Sequence, residues 1–242
     1  MKENQPYINL VSGPRNISTA LMYSFAQRAD LKVVDEPYYA YYLLKSGKVH
    51  PGQEEILASQ PHSVSEVENE LKIKAAKTGL FIKNMAHHME YVALDYLSLY
   101  HQVFLIREPK ALISSFSKVI PNPDMQDIGL KTELELYQWL TQQVGNPPVI
   151  LDSGEVLKNP EGVLKQLCKV LEMDWDKNML HWPIGARPED GVWAKYWYKN
   201  VHNSNGFIQQ QKVPRLLPVH CEELYAQAAP IYNILFEKAI KA

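Results

Sequence analysis

Short runs of apolar residues recur along the chain, and segments with the apolar spacing of helices lie between them. Five runs of four to six residues are bounded by polar or turn-forming residues, as buried strands are. Continuous apolar strands that alternate with helices are typical of a parallel sheet covered on both faces. The pattern therefore predicts a three-layer α/β/α fold around a mostly parallel five-stranded sheet, with strands at residues 7–12, 31–34, 80–83, 103–106 and 148–151.

The segments between the predicted strands carry the 3.6-residue periodicity of helices. Residues 38–77 are helical and polar-rich, with breaks expected at Pro51 and Pro61 because proline ends a helix. No internal repeat or Gly/Ser-rich linker divides the chain, so residues 1–242 are predicted to form a single domain. The other predicted helices cover residues 18–28, 88–97, 111–119 and 160–172.

Composition narrows the class of protein. Hydrophobic residues make up 46% of the chain and charged residues 21%, which is a globular rather than a disordered composition. The 25 basic and 27 acidic residues give a net charge of -2, so the overall charge does not draw the protein to nucleic acid or to an anionic membrane. The first apolar run is too short for a signal peptide or a membrane span, which predicts a cytoplasmic protein. With Cys168 and Cys221 as the two cysteines, a disulfide framework or a cysteine metal site is not expected.

Polar and charged residues follow every predicted strand. Ligands of parallel α/β sheets bind beyond the carboxyl ends of the strands, where these segments meet. We therefore expect the functional site to be built from residues 12–19, 35–39, 83–88, 107–111 and 152–156.

The loop that joins the first strand to the first helix is suited to an anion. Backbone N–H groups at a helix N-terminus lack partners and the helix dipole favours negative charge there, so phosphate or sulfate is the natural ligand. Arg15 can add a charge-assisted hydrogen bond, while Ser18 and Thr19 can donate hydroxyl groups or cap the helix. The nucleotide triphosphatase motif GxxxxGK followed by Ser or Thr is not matched, because the loop lacks the second glycine and the lysine. This disfavours an ATPase or a kinase.

This loop resembles the 5'-phosphosulfate loop of the sulfotransferases, whose core is a basic residue followed by Ser-Gly-Thr-Thr or a near variant. Arg15, Ser18 and Thr19 match that pattern. Asn16 stands in place of the serine and Ile17 in place of the glycine, and a side chain at Ile17 would strain a positive φ. The resemblance implies a nucleotide-binding loop that contains Gly13, Arg15, Asn16, Ser18 and Thr19.

A second resemblance lies at the end of the fourth predicted strand, where Arg107-Glu108-Pro109 is followed by Ser115. In the sulfotransferases an Arg-Asp-Pro or similar strand end, with a serine at this spacing, binds the 3'-phosphate of the sulfate donor. The resemblance implies this role for Arg107 and Ser115, with Ser114 as the neighbouring alternative. The loops that carry Arg15 and Arg107 are then predicted to face one cleft. Alternatively, Arg107 pairs with Glu108 or with another carboxylate.

Residues 152–171 supply a third match, a strand end, an acidic turn and an amphipathic helix, to which we assign a structural role. The three matches occur in the order of the sulfotransferase family. The resemblance implies a P-loop nucleotide-hydrolase-like fold and 3'-phosphoadenylyl sulfate as co-substrate, without a metal. It further implies transfer of a sulfuryl group to a hydroxyl or amine of a small-molecule acceptor.

Sulfuryl transfer needs a base for the acceptor and positive charge at the leaving group. Many cytosolic sulfotransferases carry Lys-Thr-His after the third strand. Here the resemblance implies Lys83 at the transferring group and His87 as the base, although the spacing is longer and His88 is equally available. Glu36 is the alternative base, because bacterial and carbohydrate-modifying relatives place a glutamate at that strand end. Partial burial would raise the pKa of this carboxyl.

Two other functions fit the same residues. One is a nucleotide-dependent phosphotransferase that has lost the usual lysine. The other is a non-catalytic nucleotide-binding domain, which the changes at Ile17 and His87 would explain. The aromatic, basic and amide residues at 193–207 loosely resemble the late loop that closes over the donor in sulfotransferases, or they pack beneath an exposed loop. The sequence indicates neither the acceptor nor the oligomeric state.

Overall fold

The computed structural model describes residues 6–76, 78–143, 145, 147–208 and 216–242. Its strands are β1 (Tyr7–Ser12), β2 (Leu31–Asp35), β3 (Gly79–Met85), β4 (His101–Ile106), β5 (Val149–Asp152) and β6 (Ala239–Ile240). These strands form a parallel sheet in the order β2-β3-β1-β4-β5-β6. The predicted parallel sheet is confirmed, but the predicted count of five strands is wrong by one. The sixth strand has two residues and directly follows a helix, so no apolar run marks it in the sequence.

The helices match the predicted periodicity in part. Residues 38–77 contain three helices, separated around Pro51 and Pro61 as expected. The predicted helix at residues 88–97 is instead a 3₁₀ helix at Ala86–Tyr91 and one turn of α-helix. None of the described helices combines the length and the apolar character that crossing a membrane requires. The α-helices are α1 (Ser18–Phe25), α2 (Tyr39–Ser46), α3 (Gln53–Ser59), α4 (Val64–Ala75), α5 (Leu94–Leu97), α6 (Pro109–Phe116), α7 (Met125–Ile128), α8 (Leu130–Gln143), α9 (Ser153–Lys158), α10 (Pro160–Val170), α11 (Ala194–Trp197), α12 (Lys199–His202) and α13 (Glu222–Lys238).

Helix α8, like the longer α13, is not predicted by the apolar pattern. The buried face of α8 shows why. Its buried residues include Leu130, Leu136 and Leu140, but the buried position between them is Glu133. A charged residue within the buried face interrupts the apolar stripe by which an amphipathic helix is recognised.

The hydrophobic core has one large layer on each face of the sheet and a smaller third cluster around Trp193. Neighbouring residues of a central strand point to opposite faces, so Leu10 packs in one layer and Val11 in the other. Helices α1 and α10 cover the face of Leu10, whereas α4, α8 and α13 cover the face of Val11. Burial on both faces explains why the strands are apolar throughout rather than at alternate positions.

The strand order places a crevice between β1 and β4. From β1 the chain crosses to β2 on one side, whereas from β4 it passes to β5 on the other side. Ligands of such sheets bind at the carboxyl ends of the strands where the connections diverge. Ser12 and Leu105 are paired in register at this edge, so the loops that carry Arg15 and Arg107 start side by side.

Candidate functional site

A cavity of about 890 Å³ opens at the crevice between β1 and β4. The loop after β1, helix α6 and the segment around α11 and α12 form its walls. Three lining side chains are cationic, those of Arg15, Arg107 and Lys118, and no aspartate or glutamate lines the cavity among the described residues. The lining residues are Arg15, Asn16, Ile17, Thr19, Ala20, Arg107, Ser114, Ser115, Lys118, Leu157, Trp197, Tyr198, Asn200, Val201, Asn203, Ser204, Gly206, Phe207, Ile208 and Leu216.

The two arginines predicted to bind anions lie in this cavity and are linked to each other. Arg107 donates a hydrogen bond from Nη1 to the backbone carbonyl of Arg15. Arg15 in turn donates from Nε to Ser115 Oγ at 3.3 Å. The carboxylate of Glu108 accepts from the backbone N–H groups of Lys110 and Ala111 at 2.9 and 2.8 Å, and so caps α6. The loops after β1 and β4 therefore present their basic groups to one space, as the two motifs predicted.

The loop after β1 reaches helix α1 without a side-chain cap. Ile17 is the N-cap residue and Ser18 is the first residue of the helix, so the interpretation of Ser18 as the N-cap is wrong. The backbone φ of Ile17 is -95°, which means that isoleucine in place of glycine brings no left-handed strain. The positive φ of this loop, 55°, belongs to Arg15. Thr19 lines the cavity, whereas Ser18 is buried and is not a lining residue.

Asn16 and Gly13 hold the loop in place, and the Asn16 side chain uses its polar atoms in hydrogen bonds within the protein. The Asn16 side chain donates from Nδ2 to the Leu105 carbonyl at 2.7 Å and accepts from the Ile17 N–H at 3.0 Å. A Cβ atom on Gly13 would lie 2.4 Å from the carbonyl oxygen of Ile128. Glycine is therefore required at this position by the close approach of the α7–α8 connection.

Lys83, Asp35, Glu36 and Tyr198 form a buried cluster beside the cavity. The Lys83 ammonium donates to Asp35 Oδ1 at 3.0 Å, to Tyr198 Oη at 2.7 Å and to Glu36 Oε1. Tyr198 lies 2.9 and 2.8 Å from the two carboxylate oxygens of Asp35. The predicted catalytic pair Lys83 and Glu36 is thus in direct contact, but the cavity wall at Tyr198 separates it from the arginines.

The environment of this cluster shifts its ionisation. Burial raises the pKa of Glu36 to about 7; the attraction of Lys83 opposes this rise, and the charge of Asp35 adds to it. Burial acts to lower the pKa of Lys83, but Asp35 and Glu36 outweigh it and the net shift is upward. A carboxyl group that titrates near neutral pH beside a charged ammonium is suited to proton transfer. Glu36 also has a positive φ of 41°, a conformation that costs energy in a residue with a side chain.

The two predicted histidines lie next to the cluster in the 3₁₀ helix after β3. His88 Nδ1 is 3.9 Å from Glu36 Oε2, so His88 rather than His87 approaches the carboxylate. Burial lowers the pKa of His87 to about 3, with further lowering from His50 and Lys48. Burial also lowers the pKa of His88 well below its usual value. Both imidazoles are therefore neutral at pH 7.

Aromatic rings surround these histidines. The Tyr39 ring stacks on His88 with centroids 4.6 Å apart, and the Tyr42 ring lies 4.9 Å from His87. Neither ring nitrogen of His88 has a hydrogen-bond partner among the described residues. No group of three or more His, Cys, Asp or Glu side chains is placed to hold a metal ion in the part of the chain that the structure describes.

Two lining residues escape the sequence reasoning. Lys118 lies three residues beyond Ser115, just past the end of α6. This helical spacing could have indicated that Lys118 faces the same cavity as Ser115. Tyr198 lies in the aromatic segment at residues 193–207, which both lines the cavity and packs in a core cluster through Trp193. No spacing along the chain relates Tyr198 to Lys83 or Asp35.

Comparison with known proteins gives one family. The profile of the sulfotransferase domain family matches residues 7–239. Two Arabidopsis thaliana proteins named branched-chain-amino-acid aminotransferase-like protein 1 and 2 are 38% identical over 226 residues and 36% identical over 230. These alignments cover 93% and 94% of this chain but 40% and 41% of the relatives, so the chain spans well under half of their length.

Solved structures agree on the fold. The sulfotransferase domain from the curacin biosynthetic pathway superposes with a TM-score of 0.59 at 17% identity, over 93% of this chain and 97% of that domain. A sulfotransferase from Alicyclobacillus acidocaldarius gives a TM-score of 0.59 at 12% identity, over 97% of this chain and 95% of that chain. The predicted P-loop-like α/β/α fold is confirmed by these likenesses, which at such identities concern the fold alone.

Proposed function

The chain belongs to the sulfotransferase domain family, and from that premise we propose that it transfers a sulfuryl group from 3'-phosphoadenylyl sulfate to a hydroxyl or amine of a small acceptor. The observation that carries this proposal is the charge of the cavity. Arg15, Arg107 and Lys118 line it together, and no acidic side chain lines it among the described residues. A cavity with that lining, at the end of β1 and β4, favours a ligand with more than one anionic group.

The lining residues fit the two anionic ends of such a nucleotide. At one end, Arg15, Thr19 and the uncapped first turn of α1 supply donors for the phosphosulfate. At the other end, Arg107, Ser115 and Lys118 supply donors for the 3'-phosphate. Neutral polar groups and rings from the segment around α12 line the same cavity and supply the surface against which a nucleoside would pack.

The donor supplies an activated sulfuryl group whose leaving group is a phosphate of adenosine 3',5'-bisphosphate. The task of the protein is to deprotonate the acceptor and to place positive charge near the leaving oxygen. We assign the base to Glu36, because its carboxyl has a pKa raised to about 7 by burial and contacts Lys83. His87 is the alternative, but burial lowers the pKa of its imidazole to about 3, which makes it a weak base. Lys83 holds the Glu36 carboxylate and carries positive charge beside the cavity wall.

The acceptor is proposed to approach from the side of the ring cluster at Tyr39, Tyr42 and His88. These buried rings pack against one another, and His88 Nδ1 lies 3.9 Å from Glu36 Oε2. An aromatic surface next to the base would suit a small acceptor with an apolar body and one hydroxyl or amine.

Calorimetric titration tests the donor site. We expect adenosine 3',5'-bisphosphate to bind more tightly than ATP, ADP or AMP, because the 3'-phosphate adds a second anionic end. Arg15→Ala and Arg107→Ala should each weaken that binding by about 1.5–3 kcal/mol, the usual cost of losing a hydrogen bond to a charged group. Lys131→Ala removes a cation with an exposed side chain on α8 and serves as the control, with no change expected.

The result also separates the alternatives. If both arginine variants bind adenosine 3',5'-bisphosphate with the affinity of the wild type, the assigned donor site is contradicted. Tighter binding of magnesium-ATP than of the bisphosphate would instead favour a phosphotransferase. Tight bisphosphate binding without sulfate transfer to any of a panel of phenols, alcohols and amines would favour a non-catalytic nucleotide-binding domain.

A further inference from the structure

Tyr198 belongs both to the wall of the cavity and to the buried ion cluster behind it. It is a lining residue of the cavity, yet its relative exposure is only 5%. Its hydroxyl oxygen lies 2.7 Å from Lys83 Nζ and 2.8 Å from Asp35 Oδ2. One side chain therefore connects the cavity proposed to bind the donor with the groups assigned to proton transfer.

The hydroxyl of Tyr198 has a single consistent orientation. The Lys83 ammonium and the indole N–H of Trp193, which is 3.1 Å away, can only donate. The phenol proton must then point towards the two carboxylates. The oxygens of Asp35, which also accepts from the Gly191 N–H at 3.1 Å, lie 2.8 and 2.9 Å from the hydroxyl, and Glu36 Oε1 lies 3.5 Å from it. Every polar site of the phenol is thereby used, and the Lys83 ammonium is held on one side by a fixed oxygen.

The backbone of Tyr198 is fixed as well. The residue lies between α11 and α12, ends the first helix and begins the second. Its N–H donates to the Ala194 carbonyl at 2.8 Å, and its carbonyl accepts from the His202 N–H at 2.9 Å. Because both backbone groups of Tyr198 are hydrogen-bonded, its side chain is held in a fixed position between the cavity wall and the buried cluster.

On the basis of the proposed function, we propose that Tyr198 is a positioning residue for sulfuryl transfer. Its hydroxyl orients the Lys83 ammonium and the Glu36 carboxylate, while its ring closes the cavity wall beside them. The hydroxyl is 3.5 Å from Glu36 Oε1 and favours the ionised form of that carboxyl. Its loss would leave Lys83 with one oxygen fewer to fix its direction and would leave Asp35 with the Lys83 ammonium and the Gly191 N–H as its donors.

The charged and titratable groups that face Glu36 come from four elements. Asp35 precedes it at the end of β2, Lys83 lies on β3, and His88 lies on the 3₁₀ helix. Tyr39 on α2 also faces it, and the pKa of Tyr39 is raised by burial and by the charge of Glu36. The Tyr198→Phe variant retains all of these groups, so a change in the titration midpoint of the Glu36 carboxyl reports the loss of the Tyr198 hydroxyl.

Tyr198→Phe tests the proposal, with Tyr196→Phe as the matched control. Tyr196 lies two residues away on α11 and is 44% exposed. We expect the calorimetric Kd for adenosine 3',5'-bisphosphate to stay within about twofold in both variants. In Tyr198→Phe the release of bisphosphate from 3'-phosphoadenylyl sulfate should fall at least about tenfold. The midpoint of the Glu36 carboxyl titration, followed by carbon-13 NMR and assigned with Glu36→Gln, should move upward.

The outcomes are distinct. An unchanged or lowered Glu36 midpoint in Tyr198→Phe overturns the proposal, as does a faster release rate, which would identify the ring as a barrier. Should the Phe variant not fold, replacement of Tyr198 by 3,5-difluorotyrosine keeps the hydroxyl and makes it a stronger donor, and the midpoint should then move downward. Failure of the wild-type protein to bind the bisphosphate would refute the proposed function, while the NMR titration would still decide whether Tyr198 positions Glu36.

Discussion

Replacement of Lys83 by methionine would remove the cation from between two buried carboxylates. The side chains of Lys83 and Asp35 are each 1% exposed, and that of Glu36 is 7% exposed. Methionine fills a similar volume with apolar atoms, so the change removes charge and hydrogen bonds and leaves no large cavity. The variant therefore isolates the electrostatic part of the cluster.

The expected loss follows from the contacts that Lys83 makes. Its ammonium donates to both carboxylates and to Tyr198, and breaking a buried ion pair by removing one partner costs about 3–5 kcal/mol. The cost should depend on pH. In the variant the folded-state pKa of Glu36 rises further above its unfolded value of 4.5. The stability contributed by the protonated group is complete below the unfolded pKa and is lost as the pH rises through the folded one.

Urea unfolding at pH 8 and pH 5 measures this effect. We expect the full loss of about 3–5 kcal/mol at pH 8 and a smaller loss at pH 5, where protonation removes buried charge. Lys74→Met is the control, because Lys74 and Glu70 form an exposed pair at 3.4 Å whose removal should cost no more than about 0.5 kcal/mol. Adding Glu36→Gln to Lys83→Met should recover part of the loss. A loss in Lys83→Met no larger than that of the control, at both pH values, would refute the buried ion cluster.

Four other variants test separate parts of the site and of the fold around it. Gly13→Ala places a Cβ atom 2.4 Å from the Ile128 carbonyl oxygen, and urea unfolding should show a loss of about 1–3 kcal/mol. Burial raises the pKa of Glu133 well above its usual value of 4.5. The contribution of protonated Glu133 to the free energy of unfolding is therefore complete below pH 4.5 and is lost as the pH rises through the folded-state pKa. Glu133→Gln should therefore exceed the wild type in stability by about 1–2 kcal/mol at pH 8 and lose this advantage near pH 4. Glu36→Gln should slow release of bisphosphate from 3'-phosphoadenylyl sulfate by about 10²–10⁴-fold, whereas His87→Asn should not; the opposite pattern would assign the base to His87.

The predictable parts of the site are those that lie next to strand ends and helix starts. Arg15 follows β1, and Arg107 follows β4, so the rule that ligands meet the carboxyl ends of parallel strands was enough to bring them together. Ser115 then follows from helical spacing along α6. The position of the positive φ in the loop was not predictable in the same way, because Arg15 rather than Ile17 adopts it. Its place depends on how Arg107 and Asn16 fasten the loop to β4.

The layered parallel sheet could be read from the order of residues alone, because strands buried on both faces must be apolar throughout and the helices between them must be amphipathic. The same pattern indicated which loops meet at the carboxyl edge. The enclosure of Lys83 by two carboxylates and by Tyr198, which lies 115 residues away along the chain, is visible only in the folded protein. Hydrogen bonds between such distant residues follow from packing, and no periodicity within a single segment encodes them.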